Sequence, residues 1–380
     1  MSVSRHPDPD PTPDVSVPVL LVTADPELRA AVQRLAAAAG VGVEVSDSAG
    51  TPSTWREAAL VLVGSDVAAV VADGAWPARS DLLVVTRHRD GPDPGLFRAA
   101  LAAGARGVVV LPDEDAALVE LLTDAADRPA GVGPRGRVIG VVAGSGGAGA
   151  TTVAAAVSEA AAREGACLAI DLDPWSGGLD RVLGLEREDG LRWDGLQGIR
   201  GRLGAGALHD AVARREQLGV LAWGPPSGLA TLDAQRAGPD VATVRTVLAA
   251  AVRGHHHVVI DLPRTTSPAV LEAAGRCDLV VVVGGRTVAA AAATHRVATV
   301  FGLHARELAL VTRGRSRGLR AEEIAAALGV PLIADLPELR RLPEVVDLGG
   351  GALRAGGRLL ERVARAVLER AHASWAAQAA

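Results

Sequence analysis

The chain has 380 residues and a formal net charge of −5, and every one of its 39 Lys-plus-Arg residues is Arg, so Lys and Tyr are both absent. Schiff-base chemistry and any phosphate site built on a lysine ammonium are therefore excluded for this chain. A content of 49% hydrophobic and 22% charged residues fits a folded protein of roughly two to three domains, and the mild acidity argues against a coat for nucleic acid.

Residues 1–17 are rich in Pro and Asp where a signal peptide is apolar, and read as a disordered leader. No apolar run approaches the roughly 18 residues of a spanning helix. Cys167 and Cys277 lie in apolar stretches typical of buried strands, without CxxC spacing, which points to free thiols and a reducing cytoplasm. From Pro18 the text alternates. Val19 to Ala24, VGVEVS, ALVLVG, Asp81 to Thr86 and Gly107 to Pro112 read as strands, with PELRAAVQRLAAAAG and DEDAALVELLTDAA as helices. Such alternation over 18–126 predicts an α/β, parallel, doubly wound (flavodoxin-like) sheet.

This segment resembles a response-regulator receiver domain, above all in LFRAALAAGARGVVVLP. The resemblance implies an acidic pair after the first strand, a phospho-accepting Asp after the third and a Lys before the last Pro. Here those places hold Asp25 after Ala24, Gly64 followed by Asp66, and Leu111 before Pro112. The expectation is a pseudo-receiver used for contacts. A Pro-, Gly- and Arg-rich linker at 127–136 follows, and a second domain over 137–380.

In that second part Arg137 to Ala143 reads as a strand, GSGGAGATT as a glycine loop, and the Ala-rich text beyond it as a helix. Glycines between strand and helix let backbone N–H groups converge on an anion. Two templates fit. Gly144, Gly146 and Gly149, with Asp171 one strand later, satisfy the G-x-G-x-x-G dinucleotide pattern, which would make an NAD-dependent oxidoreductase. The same string satisfies a deviant Walker A box in its glycines and paired threonines. Downstream text favours the second. CLAIDLDP ends in Asp171 and Asp173, and HHVVIDLPR places Asp261 after an apolar run in the Walker B manner; Cys277 to Gly285, Glu307 to Arg315 and VPLIADLP read as further strands.

From residue 137 onward the sequence resembles the ParA/MinD family of P-loop proteins, in the CpaE/TadZ-like and actinobacterial septum site-determining branch; WSGGLDRVLGLE and GLRWDGL are typical of that text. The resemblance implies ATP or ADP with Mg2+, bound by Gly144, Ser145, Gly146, Gly147, Ala148, Gly149, Ala150, Thr151 and Thr152. It implies Thr151, Asp261 (partly through water) and Asp171 near the metal, and Asp173 near the attacking water. Ser145 and Ala150 stand where the family has its two lysines. A drift toward G and C in the codons turns lysine into arginine, so it does not explain Ser and Ala. Loss of a charge-assisted contact worth roughly 1.5–3 kcal/mol weakens binding and removes rapid hydrolysis.

The expected role is spatial regulation, of septum placement in cell division or of a Tad-type pilus or secretion machine, with weak or absent hydrolysis. The rival within the family is a slow ATPase cycling between monomer and homodimer. Partners would be proteins of those machines, and the chain cytoplasmic and recruited to the membrane, pole or septum. Nucleic acid is not expected, nor direct membrane binding, because the helix holding Leu359, Leu360, Val363, Val367 and Ala371 reads as packed on the sheet, ahead of a frayed tail with Trp375. His255 to His257 read as surface residues rather than metal ligands. Arg264 is a candidate local cation, and the loop Arg313 to Arg320 is a candidate contact for DNA or acidic lipid; the resemblance, in which this strand end faces the nucleotide base, implies a place near adenine at least as well.

Overall fold

The computed structural model describes residues 19–47, 54–55, 58–74, 76–77, 79, 81–87, 94–126, 136–196, 203–225, 237–314, 318–339 and 342–379. The leader, nearly all of the linker and the centre of the Arg313–Arg320 loop lie outside the described residues. The chain divides into two compact units, Met1–Gly131 and Val132–Ala380.

In the first unit the strands are β1 (Val19–Val22), β2 (Val43–Ser46), β3 (Leu60–Gly64), β4 (Leu82–Arg87) and β5 (Val108–Leu111). They pair in parallel in the order β2-β1-β3-β4-β5. That is the flavodoxin-like order, and the buried Val and Leu runs of β1, β3 and β4 explain it, because a strand covered by helices on both sides has no polar face. The acids at the strand ends serve the backbone. Asp66 accepts from the Thr23 hydroxyl (2.8 Å), the Ala24 amide (2.7 Å) and the Asp25 amide (3.1 Å). Asp25 caps helix Pro26–Ala38 through the Glu27 and Leu28 amides. Among the described residues no three acidic side chains converge there.

The second unit contains β6 (Arg137–Ala143), β7 (Cys167–Asp171), β8 (Ala213–Arg215), β9 (Leu218–Leu221), β10 (His257–Leu262), β11 (Leu279–Gly285), β12 (Leu308–Gly314) and β13 (Leu332–Pro337). Their order is β13-β12-β11-β6-β10-β7-β9-β8, and only β8 runs antiparallel to its neighbour. Successive side chains alternate between two cores. Ile139 and Val141 pack with helices Ala150–Ala161 and Ala352–Ala379, whereas Val138 and Val142 pack with helices Val241–Gly254, Pro268–Arg276 and Val288–Gly302. Cys167 is in β7; Cys277 is not in a strand but caps helix Pro268–Arg276. Both are buried and free.

The terminal helix is fixed at both ends. Glu159 accepts from the Ala352 and Leu353 amides, each at 2.8 Å, closing its first turn. Leu360, Val363, Val367 and Ala371 are buried as read from the sequence, while Leu359 lies off that face at 36% exposure. The backbone breaks at Gly357 (φ +54°) and is helical again from there to Ala379, and Trp375 takes the Arg137 guanidinium 5.1 Å from its ring centre. No helix among the described residues is long and apolar enough to cross a membrane.

The histidine triplet departs from the sequence reading. His255 and His257 are buried, not on the surface. His255 meets the His209 ring at 3.1 Å and the Ala251 carbonyl at 3.1 Å. His257 faces Glu164 (3.3 Å), which also meets His372 at 3.5 Å, so these three offer their ligand atoms within 4.8 Å of one another. The Arg137 guanidinium holds the same His372 nitrogen at 3.0 Å, and this is a hydrogen-bonded latch between strand and terminal helix.

Burial above all, then the neighbouring His209, Arg214 and His256, pushes His255 down to about 3, against the Ala251 carbonyl that raises it. A depressed folded value means that the unfolded chain takes up the proton first, so this contribution is complete above the unfolded pKa of about 6.5 and is lost as pH falls toward 3. At pH 4.5 the loss amounts to roughly 2 to 3 kcal/mol relative to pH 7. Urea denaturation at pH 7 and 4.5 should show a smaller loss for His255→Gln than for the wild type; equal losses would remove His255 as the cause.

Candidate functional site

The glycine loop joins β6 to helix Ala150–Ala161, and its geometry requires glycine at particular places. Gly147 and Gly149 have φ of +70° and +92°, which side chains disfavour. A side chain at Gly144 would collide with Thr294, which is itself buried with its hydroxyl on the Ala290 carbonyl at 2.7 Å. The Gly144 amide donates to the Val283 carbonyl (2.8 Å), tying the loop to β11. Gly149 caps the helix without a side-chain bond, so the first-turn amides and the positive end of the helix dipole face the loop. Gly146 and Gly147 are exposed; Ser145, Gly149, Thr151 and Thr152 are half-buried; Ala148 and Ala150 are buried.

The acids stand on the neighbouring strands. Parallel register aligns Val141, Asp261 and Asp171 across β6, β10 and β7. Asp261 is 3% exposed and lies beside the Thr151 side chain, and its Oδ2 has no hydrogen-bond partner. Burial, then the Asp171 charge, raises its carboxyl well above the usual range. Asp171 is used differently. One of its oxygens accepts from the Asp173 amide (3.0 Å), the other from the Ser176 hydroxyl (2.8 Å) and the Leu179 amide (2.9 Å). Burial pushes its carboxyl up to about 6 despite those three donors. Asp171 thus closes the loop that follows β7, and Asp173 sits half-buried on that loop with Oδ1 on the Trp175 amide at 3.0 Å.

Behind the acids, Trp193 is 2% exposed, donates its indole N–H to the Asp171 carbonyl at 2.7 Å and stacks on Trp223. This gives GLRWDGL a physical role in holding the acid-bearing strand end.

A cleft of about 500 Å³ opens at the loop, lined by Ser145 to Ala148, Arg286 and Arg313 among others. A second, of about 650 Å³, is lined by Asp171, Asp173, Ser176 and Trp223. Both fall in the range of small-molecule sites. Arg264 is exposed and approaches the loop at Gly146. Arg313, where the Arg-rich loop begins, lies against the glycine loop, and its Nη1 donates to the Ala148 carbonyl at 3.4 Å.

The strand order decides between the two templates. In a dinucleotide unit the strand after the glycine-loop helix pairs with the strand before it. Here β10 lies between β6 and β7, and both Asp171 oxygens are already occupied, so the dinucleotide alternative does not fit.

The Mycobacterium tuberculosis protein Rv3660c is 37% identical over 351 residues, 90% of this chain and 95% of that protein. The chain belongs to the Rv3660c-like family. In this Rv3660c-like protein, residues 22–133 match the family description "Rv3660c-like, CheY-like N-terminal domain", in keeping with the five-stranded order. The second unit has the ParA/MinD fold. A ParA family ATPase from Chlorobium tepidum TLS aligns with a TM-score of 0.53 at 16% identity, over 62% of this chain and 98% of that one. The Pyrococcus furiosus cell division ATPase MinD aligns with a TM-score of 0.51 at 22% identity, over 62% and 99%. At these identities the likeness is one of fold.

Proposed function

We propose that this chain is a spatial regulator of the ParA/MinD type that holds Mg-ATP or Mg-ADP with weak or absent hydrolysis, and acts through protein partners in septum placement or in localising a pilus or secretion machine. The observation that carries the reading is the orphaned Asp261 Oδ2 beside the Thr151 side chain at the mouth of the glycine loop. A buried carboxylate oxygen without a donor is costly unless something cationic completes it. Thr151 and Asp261 would hold magnesium, Asp261 in part through water, and the ion would supply charge neutralisation to the phosphates. Asp171 would support this from behind by fixing the Asp173 loop, since its own oxygens are occupied; Asp173 would orient water.

The loop residues Gly144 to Thr152 would cradle the phosphates through backbone N–H groups. Ser145 is too short and uncharged to reach a partner subunit's site, and Ala150 brings no cation, so a homodimer would not gain the charge a lysine lends it. The wild type is expected to bind Mg-ATP in isothermal titration calorimetry, with at least tenfold weaker binding for Thr151→Ala. Binding of neither ATP nor ADP at millimolar concentration would contradict the reading.

A further inference from the structure

The glycine loop lacks a lysine, but it does not lack a cation beside it. Resting on the nucleotide-site reading, we propose that Arg313 at the end of β12 takes the place of the missing P-loop lysine and binds the phosphate chain of a nucleoside di- or triphosphate.

Three features of the structure lead there. The first is position. Arg313 lines the same cleft as Ser145 to Ala148, and its Nη1 donates to the Ala148 carbonyl at 3.4 Å. Any side chain at Gly149 would collide with its guanidinium. Glycine at 149 is required by the left-handed turn, and it leaves room for the end of this arginine, which would otherwise have to shift.

The second is charge. Arg286, on the same wall, is committed: it pairs with Asp335 at 3.0 Å and donates to the Leu319 carbonyl at 2.9 Å. The Thr312 hydroxyl takes the other Asp335 oxygen at 2.6 Å. Asp335 is thus used up in fixing the wall, and no carboxylate among the described residues pairs with the half-buried Arg313. A guanidinium held in place by one carbonyl, facing a cleft whose one lining carboxylate, Glu338, does not pair with it among the described residues, is suited to an anion. Arg264 approaches the loop from the opposite strand set at Gly146, without a carboxylate partner among the described residues, but it is exposed and contributes less.

The third is chemistry. Guanidinium stays charged at all working pH values and presents parallel N–H donors that match phosphate oxygens. It can therefore bind the chain of phosphates from the side, where a lysine would reach over from the helix. It enters from a different strand, so it restores ground-state affinity without restoring a lysine's placement on the transferring group.

The test is nucleotide affinity of the full chain, read by isothermal titration calorimetry with Mg-ATP and Mg-ADP. Arg313→Gln should weaken binding tenfold to a hundredfold, Arg313→Lys less, and Arg264→Ala less than threefold. Ala150→Lys added to Arg313→Gln should recover most of the lost affinity by returning a cation to the loop. Wild-type binding that Arg313→Gln leaves unchanged, while Thr151→Ala still weakens it, would overturn the proposal and leave the nucleotide site standing. Absence of any wild-type nucleotide binding would overturn both. If Arg313→Gln also lowers the thermal midpoint, the double variant decides: recovered affinity supports the proposal, and unrecovered affinity overturns it.

Discussion

Asp261→Asn is expected to raise the thermal midpoint of the nucleotide-free protein and to abolish the gain in ATP affinity that magnesium brings. The buried Asp261 carboxyl stands in register with Asp171, the charge of one raising the pKa of the other, and one of its oxygens has no donor. Replacing it with an amide of the same shape removes the cost of burying an ionisable carboxyl beside Asp171, a stabilisation of about 1–3 kcal/mol. The same change removes the oxygen proposed to face the metal. Stability and binding should therefore move in opposite directions, which a merely structural aspartate would not produce. Differential scanning calorimetry without nucleotide, and titration of ATP with and without magnesium, measure the two effects. A lowered midpoint, or an unchanged magnesium dependence, would contradict the assignment.

Trp193→Ala should cost about 3–5 kcal/mol, as large aromatic truncations in a core do. The side chain is fully buried, and its indole N–H holds the Asp171 carbonyl at 2.7 Å. Trp193→Phe keeps most of the packing and leaves that carbonyl unpaired, for a loss of about 1–2 kcal/mol. Urea denaturation gives both values. Nucleotide affinity should fall in step with stability, because the strand end that carries Asp171 and the Asp173 loop loses its support. A fully stable Trp193→Ala protein would show that the indole does not brace the site.

Much of this architecture was legible in the residues. Runs such as VVID and LVVVV are apolar on both faces, which is what a central parallel strand between two helical layers requires, and the glycine loop stands out because Gly147 and Gly149 are needed for positive φ. Other features depend on which strands become neighbours. β8 and β9 escaped the reading because Ala213–Arg215 is a three-residue edge strand carrying charges, with no alternation to betray it. The His255 to His257 triplet carries no apolar signal, and the burial of His255 and His257 goes with contacts to His209, Glu164 and His372, far away in sequence.

The roles of the acids divided in the same way. That Asp171 and Asp261 share a strand end follows from their position after apolar runs. That Asp171 spends both oxygens on the following loop, whereas Asp261 keeps one free, does not: it depends on where Ser176 and Leu179 fold back. Arg313 shows this most clearly. It stands 165 residues from Ala148, and only the order β12-β11-β6 brings the two together.

The proposed site retains ATP but does not turn it over. Single-turnover incubation of Mg-ATP with excess full-length protein, quenched over time and resolved for bound ATP, ADP and free phosphate, tests it most directly. Nucleotide held on the protein and recovered as intact ATP is the predicted result. Release of phosphate at the rate of lysine-bearing relatives of this fold would contradict it.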